Sequence, residues 1–188
     1  MRKMNSVLKI SGVILIVSFL VSSCLKSKDP YANYTPEREA GLISGWLTNM
    51  QSKNMNIDTT STGIYYIVSK AGTGANPRVG DTLTVRYVGL FLDGSVFDAS
   101  AFHTHQVGTT LPYFSADSTF TYIHQAPDSP NLAMIKGWEE SVAVMKKGEI
   151  AGFLIPSAKA YGSYGYASIP PYTPLLYQIE LVAINQNR

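Results

Sequence analysis

The spacing of apolar residues changes along the chain, and each change marks an element. Between Met134 and Gly162 the sequence reads MIKGWEESVAVMKKGEIAGFLIPSAKAYG. Trp138, Val142 and Met145 recur at i, i+4 and i+7, which places them on one face of a helix. Glu139 and Glu140 are expected in its first turn and Lys146 and Lys147 in its last, matching the helix dipole at both ends. Gly148 is expected to supply a left-handed stop. So short a helix is not stable alone, so Trp138 must dock on an apolar surface. A buried strand over 149–155, stopped by Pro156, and a tyrosine-rich loop complete the stretch.

Elsewhere the period is two. Ile64, Tyr66 and Val68 alternate with Tyr65 and Ile67, and Gly72, Gly74 and Pro77 close that segment. In the run DTLTVRYVGLFL, Leu83, Val85, Tyr87, Gly89 and Phe91 share one face and Thr82, Thr84, Arg86 and Val88 the other. Asp93-Gly94 signals a hairpin turn, after which Val96-Phe97-Asp98 returns. Residues 99–119 are irregular, residues 120–123 read as a strand, and Tyr177, Ile179 and Leu181 alternate in a last one. Five or six strands around one short helix make an α+β domain with an antiparallel sheet.

Thr35-Pro36 caps an earlier helix. Its apolar residues Ala40, Ile43, Leu47 and Met50 step by three and four, with Leu42 and Trp46 widening the stripe and Gly41 and Gly45 interrupting it. That stripe serves either packing on the chain's own domain or the binding of a partner or second copy.

The 188 residues suffice for one core of ordinary size plus extensions. The N-terminus opens with Arg2, Lys3 and Lys9, then a 12-residue apolar run from Ile10 to Val21. That length is short for a membrane span and suits a signal peptide. Val21-Ser22-Ser23-Cys24 resembles a bacterial lipobox, which implies cleavage before Cys24 and lipidation of its thiol. Leu25 rather than Asp after it favours the outer over the inner membrane of the cell envelope. With residues 1–23 removed, the 15 basic residues fall to 12 against 13 acidic, a net charge of −1. This balance, without a basic cluster, argues against nucleic acid as a partner. The expected divisions are a signal peptide over 1–23, a tether over 24–35, a helical extension over 36–61 and a folded domain over 62–186.

Four blocks in order, GDTLTVRYVGLFLDGSVFDAS, IKGWEESVAVMKKGE, IPSAKAYG and LLYQIELVAI, resemble those of FKBP-type peptidyl-prolyl cis/trans isomerases. The resemblance covers about residues 62–185. It implies a curved antiparallel sheet wrapped on one short helix, with an aromatic proline pocket between them. Carried over residue by residue, Tyr87, Phe97, Asp98, Trp138 and Tyr161 would be the catalytic set. Trp138 would form the floor, Tyr87 and Phe97 the walls, Asp98 the orienting carboxylate, and Tyr161 a hydroxyl reaching the ligand. Phe120, Met134, Ile135, Tyr166, Ile169 and Tyr177 would line the substrate site, with Phe114 as a rival to Phe120 and Tyr177 standing where the family has Phe. A backbone hydrogen bond to the ligand is implied beside Met134 and Ile135.

The implied activity is X-Pro isomerisation assisting the folding of exported proteins. The alternative is a catalytically weak binding module or holdase. Proline-containing segments would be substrates, macrolide inhibitors a further ligand class, and Cys24 the membrane link. The chemistry requires no cofactor. His103, His105 and His124 make a weak metal candidate, since no Cys or acidic cluster joins them; a solvated loop is the expected reading, and no metal is assigned.

Overall fold

The structure, a computed structural model, describes residues 31–100 and 119–187. Cys24, His103, His105 and Phe114 lie outside the described residues.

Helix α1 spans Pro36–Ser52, capped as expected: the Thr35 hydroxyl accepts from the Arg38 amide at 3.2 Å and Pro36 opens the first turn. The chain then forms β1 (Asp58–Thr59), β2 (Tyr65–Lys70), β3 (Thr82–Leu90), β4 (Val96–Ala99), β5 (Phe120–Ile123), α2 (Lys136–Val142), β6 (Ile150–Ile155) and β7 (Leu175–Asn185). The expected α+β architecture, a curved antiparallel sheet with one short helix, is present. The sheet order is β1-β2-β6-β7-β3-β4, with β5 pairing β3 beside β4. It has seven strands rather than five or six, because β1 has only two residues and no period to reveal it.

Strands β3 and β7 are the sheet's spine. They pair from Thr82↔Asn185 to Leu90↔Leu176. Tyr87 and Ile179 are directly opposed, and Gly89 opposes Tyr177. The inward residues Leu83, Val85, Ile179 and Leu181 are fully buried, so the alternation in the sequence maps onto the core face. Register slips at Thr84/Val85 in this ladder and at Gly89/Leu90 in the β3–β4 ladder bend the sheet near the aromatic residues.

Helix α2 departs from the expected reading at its C-terminal end. It stops at Val142, with Ala143 as its cap, so Lys146 and Lys147 lie beyond it rather than in its last turn. Gly148, at φ 78°, is the left-handed turn into β6 and not the helix stop. Glu139 lies in the first turn as expected, and both Glu139 and Glu140 are buried. Glu140 Oε2 accepts from Lys159 Nζ at 2.6 Å and from the Thr62 hydroxyl at 2.5 Å. A seven-residue helix this deeply buried draws its stability from these tertiary partners.

Helix α1 has no fully buried residue. It meets the rest of the fold through Glu39, whose carboxylate accepts from the backbone amide and hydroxyl of Ser157, both at 2.6 Å. Leu42, Ile43, Trp46, Leu47 and Met50 are half-buried, while Ala40 is exposed.

Gly137 tests how tightly α2 is seated. A Cβ there would collide with Ile155 Cγ2 and press on the carbonyl of Lys159. Gly137→Ala is expected to lower stability by about 1–3 kcal/mol, read as an earlier urea midpoint; an unchanged midpoint would show α2 to be loosely held.

Candidate functional site

The side chains of the candidate site come from elements far apart in sequence, so the sheet register sets where they meet. Trp138 on α2 is fully buried. Tyr87 from β3 lies edge-on to it at 4.9 Å between centroids, and Tyr177 from β7 at 5.3 Å. Phe97 from β4 packs edge-on to Tyr177 at 5.5 Å, and Phe120 from β5 edge-on to Tyr87 at 6.1 Å. Such edge-to-face contacts favour one relative orientation of the rings. Gly89 makes the approach possible, since a Cβ there would meet the rings of Phe97 and Tyr177. Met134, Ile135 and Tyr161 are partly buried against the same cluster.

Polar groups converge on one side of these rings. The Tyr87 hydroxyl donates to Asp98 Oδ2 at 3.0 Å. Ser100 holds the Tyr87 backbone: its hydroxyl accepts from the Tyr87 amide at 3.0 Å, and its own amide donates to the Tyr87 carbonyl at 3.0 Å. Burial pushes the Tyr87 phenol well above the ordinary tyrosine range, and the neighbouring Asp98 charge pushes it further. Tyr177 is raised likewise, by burial first and then by Tyr161, Asp98 and Tyr87. Tyr161 is raised by burial and by Asp98. The Asp98 carboxylate thus contributes to raising all three phenols. No hydrogen bond from the Ile135 amide, just before α2, is formed among the described residues.

The structure thus brings together Tyr87, Phe97, Asp98, Phe120, Trp138 and Tyr177. The rim residues are more dispersed. Tyr161 stacks on Tyr166 at 5.1 Å, and Tyr166 is 65% exposed, while Ile169 is buried and bridged to Tyr166.

Three residues went unseen as a group in the sequence. His124 is not in a solvated loop: it is 2% exposed, and its Nδ1 lies 2.5 Å from Glu139 Oε2. Tyr122 accepts the Trp138 indole N–H at 2.8 Å. The period-two spacing of Tyr122 in β5 and His124 just after it was the available signal, since both residues are buried.

The chain is similar to known proteins. The family model for FKBP-type peptidyl-prolyl cis-trans isomerase matches residues 118–182. Similar curated proteins include an FKBP-type peptidyl-prolyl cis-trans isomerase FkpA of Aeromonas hydrophila, 35% identical over 135 residues, covering 72% of this chain and 43% of that protein. FkpA of Escherichia coli K12 is 33% identical over 134 residues, covering 71% of this chain and 42% of its own length. The chain thus spans less than half the length of these relatives. Among solved structures, a peptidyl-prolyl cis-trans isomerase of Pseudomonas syringae is 28% identical with a TM-score of 0.58, covering 80% of this chain and 92% of that one. The crystal structure of E. coli FkpA is 27% identical with a TM-score of 0.57, covering 79% and 62%.

The raised phenols give a pH expectation. Unfolded tyrosines ionise near about pH 10. A folded pKa above that value contributes stability that is fully present below about pH 10 and lost as pH rises through the folded value. In an alkaline titration followed by phenolate absorbance, exposed tyrosines such as Tyr164 are expected to ionise first and Tyr87 and Tyr177 only as the fold opens. Uniform ionisation of all 12 tyrosines with the fold intact would contradict this burial.

Proposed function

We propose that this chain, whose folded domain belongs to the FKBP-type peptidyl-prolyl cis/trans isomerase family, catalyses rotation about X-Pro bonds in exported proteins and so assists their folding. One observation carries the reading: Tyr87, Phe97, Phe120, Trp138 and Tyr177 converge in one aromatic cluster beside Asp98, with polar groups on one side of the rings.

The X-Pro barrier of about 18–20 kcal/mol is lost amide resonance, so catalysis needs neither nucleophile nor metal. The planar amide is the more charge-separated form, and water stabilises it. Seating the proline ring on Trp138 strips that water from the amide and favours the twisted form. A cavity complementary to the twisted amide binds it more tightly than either planar isomer, and that difference is the catalysis. Asp98, held by the Tyr87 hydroxyl, acts as an orienting acceptor, and the Ile135 amide donates to a substrate carbonyl. Phe97 and Phe120 flank the ring, Met134 closes its side, and Tyr161, Tyr166 and Ile169 form the rim. Macrolides that mimic a prolyl amide would occupy the same cavity.

The remaining assignments complete the reading. Residues 1–23 act as a signal peptide, Cys24 is lipidated, 24–35 is a tether, 36–61 a helical extension and 62–186 the isomerase domain. The domain is thereby held in the cell envelope, at the outer membrane. A second reading, a binding module or holdase with little turnover, draws on the half-buried apolar stripe of α1. It predicts suppression of client aggregation without faster isomerisation.

The soluble form lacking Cys24 is expected to accelerate cis/trans exchange of an X-Pro peptide well above buffer, and no acceleration would favour the binding module. Asp98→Ala is expected to lower kcat/KM roughly tenfold to a hundredfold, the loss of a hydrogen bond to a charged group worth about 1.5–3 kcal/mol. Undiminished activity would move the site elsewhere. Cys24→Ser is expected to release the chain from membranes, and continued retention would count against lipidation.

A further inference from the structure

Beneath the pocket floor lies a buried polar chain that the isomerisation mechanism above does not use. The Trp138 indole N–H donates to the Tyr122 hydroxyl at 2.8 Å. The Tyr122 hydroxyl in turn faces Glu139 Oε2 at 3.4 Å. The same oxygen meets His124 Nδ1 at 2.5 Å and the Gln125 backbone amide at 3.3 Å. Tyr122, His124, Trp138 and Glu139 are each at most 8% exposed.

From this geometry we infer that Tyr122, Glu139 and His124 are positioning residues for the isomerase reaction, fixing the rotation of the Trp138 indole and its distance from the Phe120 wall. The inference rests on the isomerase reading proposed above. A desolvated indole N–H needs an acceptor, and of the groups around it Tyr122 supplies one. Burial, then the charge of Glu139, holds the Tyr122 phenol far above the ordinary tyrosine range, so it keeps its proton to give to the carboxylate while its lone pair takes the indole N–H. Glu139 is a carboxylate buried without exposure, which is costly unless paired. His124 and the Gln125 amide supply that pairing, and His124 presents Nδ1 as the donor.

Two structural elements are tied by this chain. Tyr122 and His124 belong to or adjoin β5, and Trp138 and Glu139 are neighbours on α2. Phe120, two residues before Tyr122, stacks on its ring at 5.5 Å and meets Tyr87 edge-on. The hydrogen bonds therefore set the gap between the wall that β5 carries and the floor that α2 carries. A cavity selective for a twisted amide depends on that gap more than a cavity that only binds a proline ring does.

The test is Tyr122→Phe in the full chain carrying Trp46→Phe, which leaves Trp138 as the one indole, since the chain has two tryptophans. The indole N–H resonance is expected to move upfield and exchange faster with solvent. kcat is expected to fall about tenfold with KM within about twofold, the signature of a contact that matters more in the transition state. His124→Leu, which removes the donor to Glu139, is expected to reproduce the loss. His124→Asn, whose side-chain amide N–H stands where Nδ1–H does, is expected to recover most of it, and this pair decides the question if Tyr122→Phe fails to fold. An unmoved indole resonance, or a moved resonance with unchanged kcat, overturns the inference while leaving the isomerase intact. Equal activity of His124→Leu and His124→Asn also overturns it. An inactive parent chain overturns the isomerase reading, and this inference with it.

Discussion

Everything in this fold turns on the complete burial of one indole on a helix of seven residues. Helix α2 cannot hold Trp138 by itself, because so short a segment does not repay its own nucleation. The sheet must hold it, and it does so edge-on through Tyr87 from β3 and Tyr177 from β7. That requirement fixes the register of the long β3–β7 ladder, because a slip of one residue would turn both tyrosines to the opposite face. It also requires a glycine at position 89, where the rings of Phe97 and Tyr177 occupy the space of a side chain.

The second constraint is charge. Two carboxylates, Glu139 and Glu140, enter the interior with Trp138. Each is met by specific partners from a different part of the chain: His124 and the Gln125 amide for one, Lys159 and Thr62 for the other. Buried ion pairs give little net stability, yet removing one partner is costly. Their effect is to admit a single seating of α2, and the aromatic cluster around Trp138 inherits its shape from that seating. The Glu39–Ser157 contact extends the same logic outward, since it ties α1 to the turn that leads to Tyr161.

How far this was legible in the sequence depended on how local each signal was. The alternation in β3 and the Asp93-Gly94 turn could be read because period and turn chemistry reside in adjacent residues. The Thr35-Pro36 cap was equally local, and it appears as expected. The approach of Tyr87, Phe97, Asp98 and Trp138 came from family resemblance, because nothing in spacing alone brings β3, β4 and α2 together. The burial of Glu139 and Glu140 could not be read from the sequence, because their partners His124 and Thr62 lie 15 and 78 residues away. Gly148 was misplaced for a related reason: a left-handed glycine marks a turn, and only the hydrogen bonds say whether a helix ends there.

The central claim is that a proline ring sits on Trp138 with its carbonyl within reach of the Ile135 amide. Titrating the labelled chain with a short proline-containing peptide, followed by amide and indole resonances, tests it directly. The account expects the Trp138 indole and the Ile135 amide to shift together along one binding curve while the Trp46 indole on α1 stays still. Shifts confined to Trp46 and its neighbours on α1, with Trp138 and Ile135 unmoved, would contradict it.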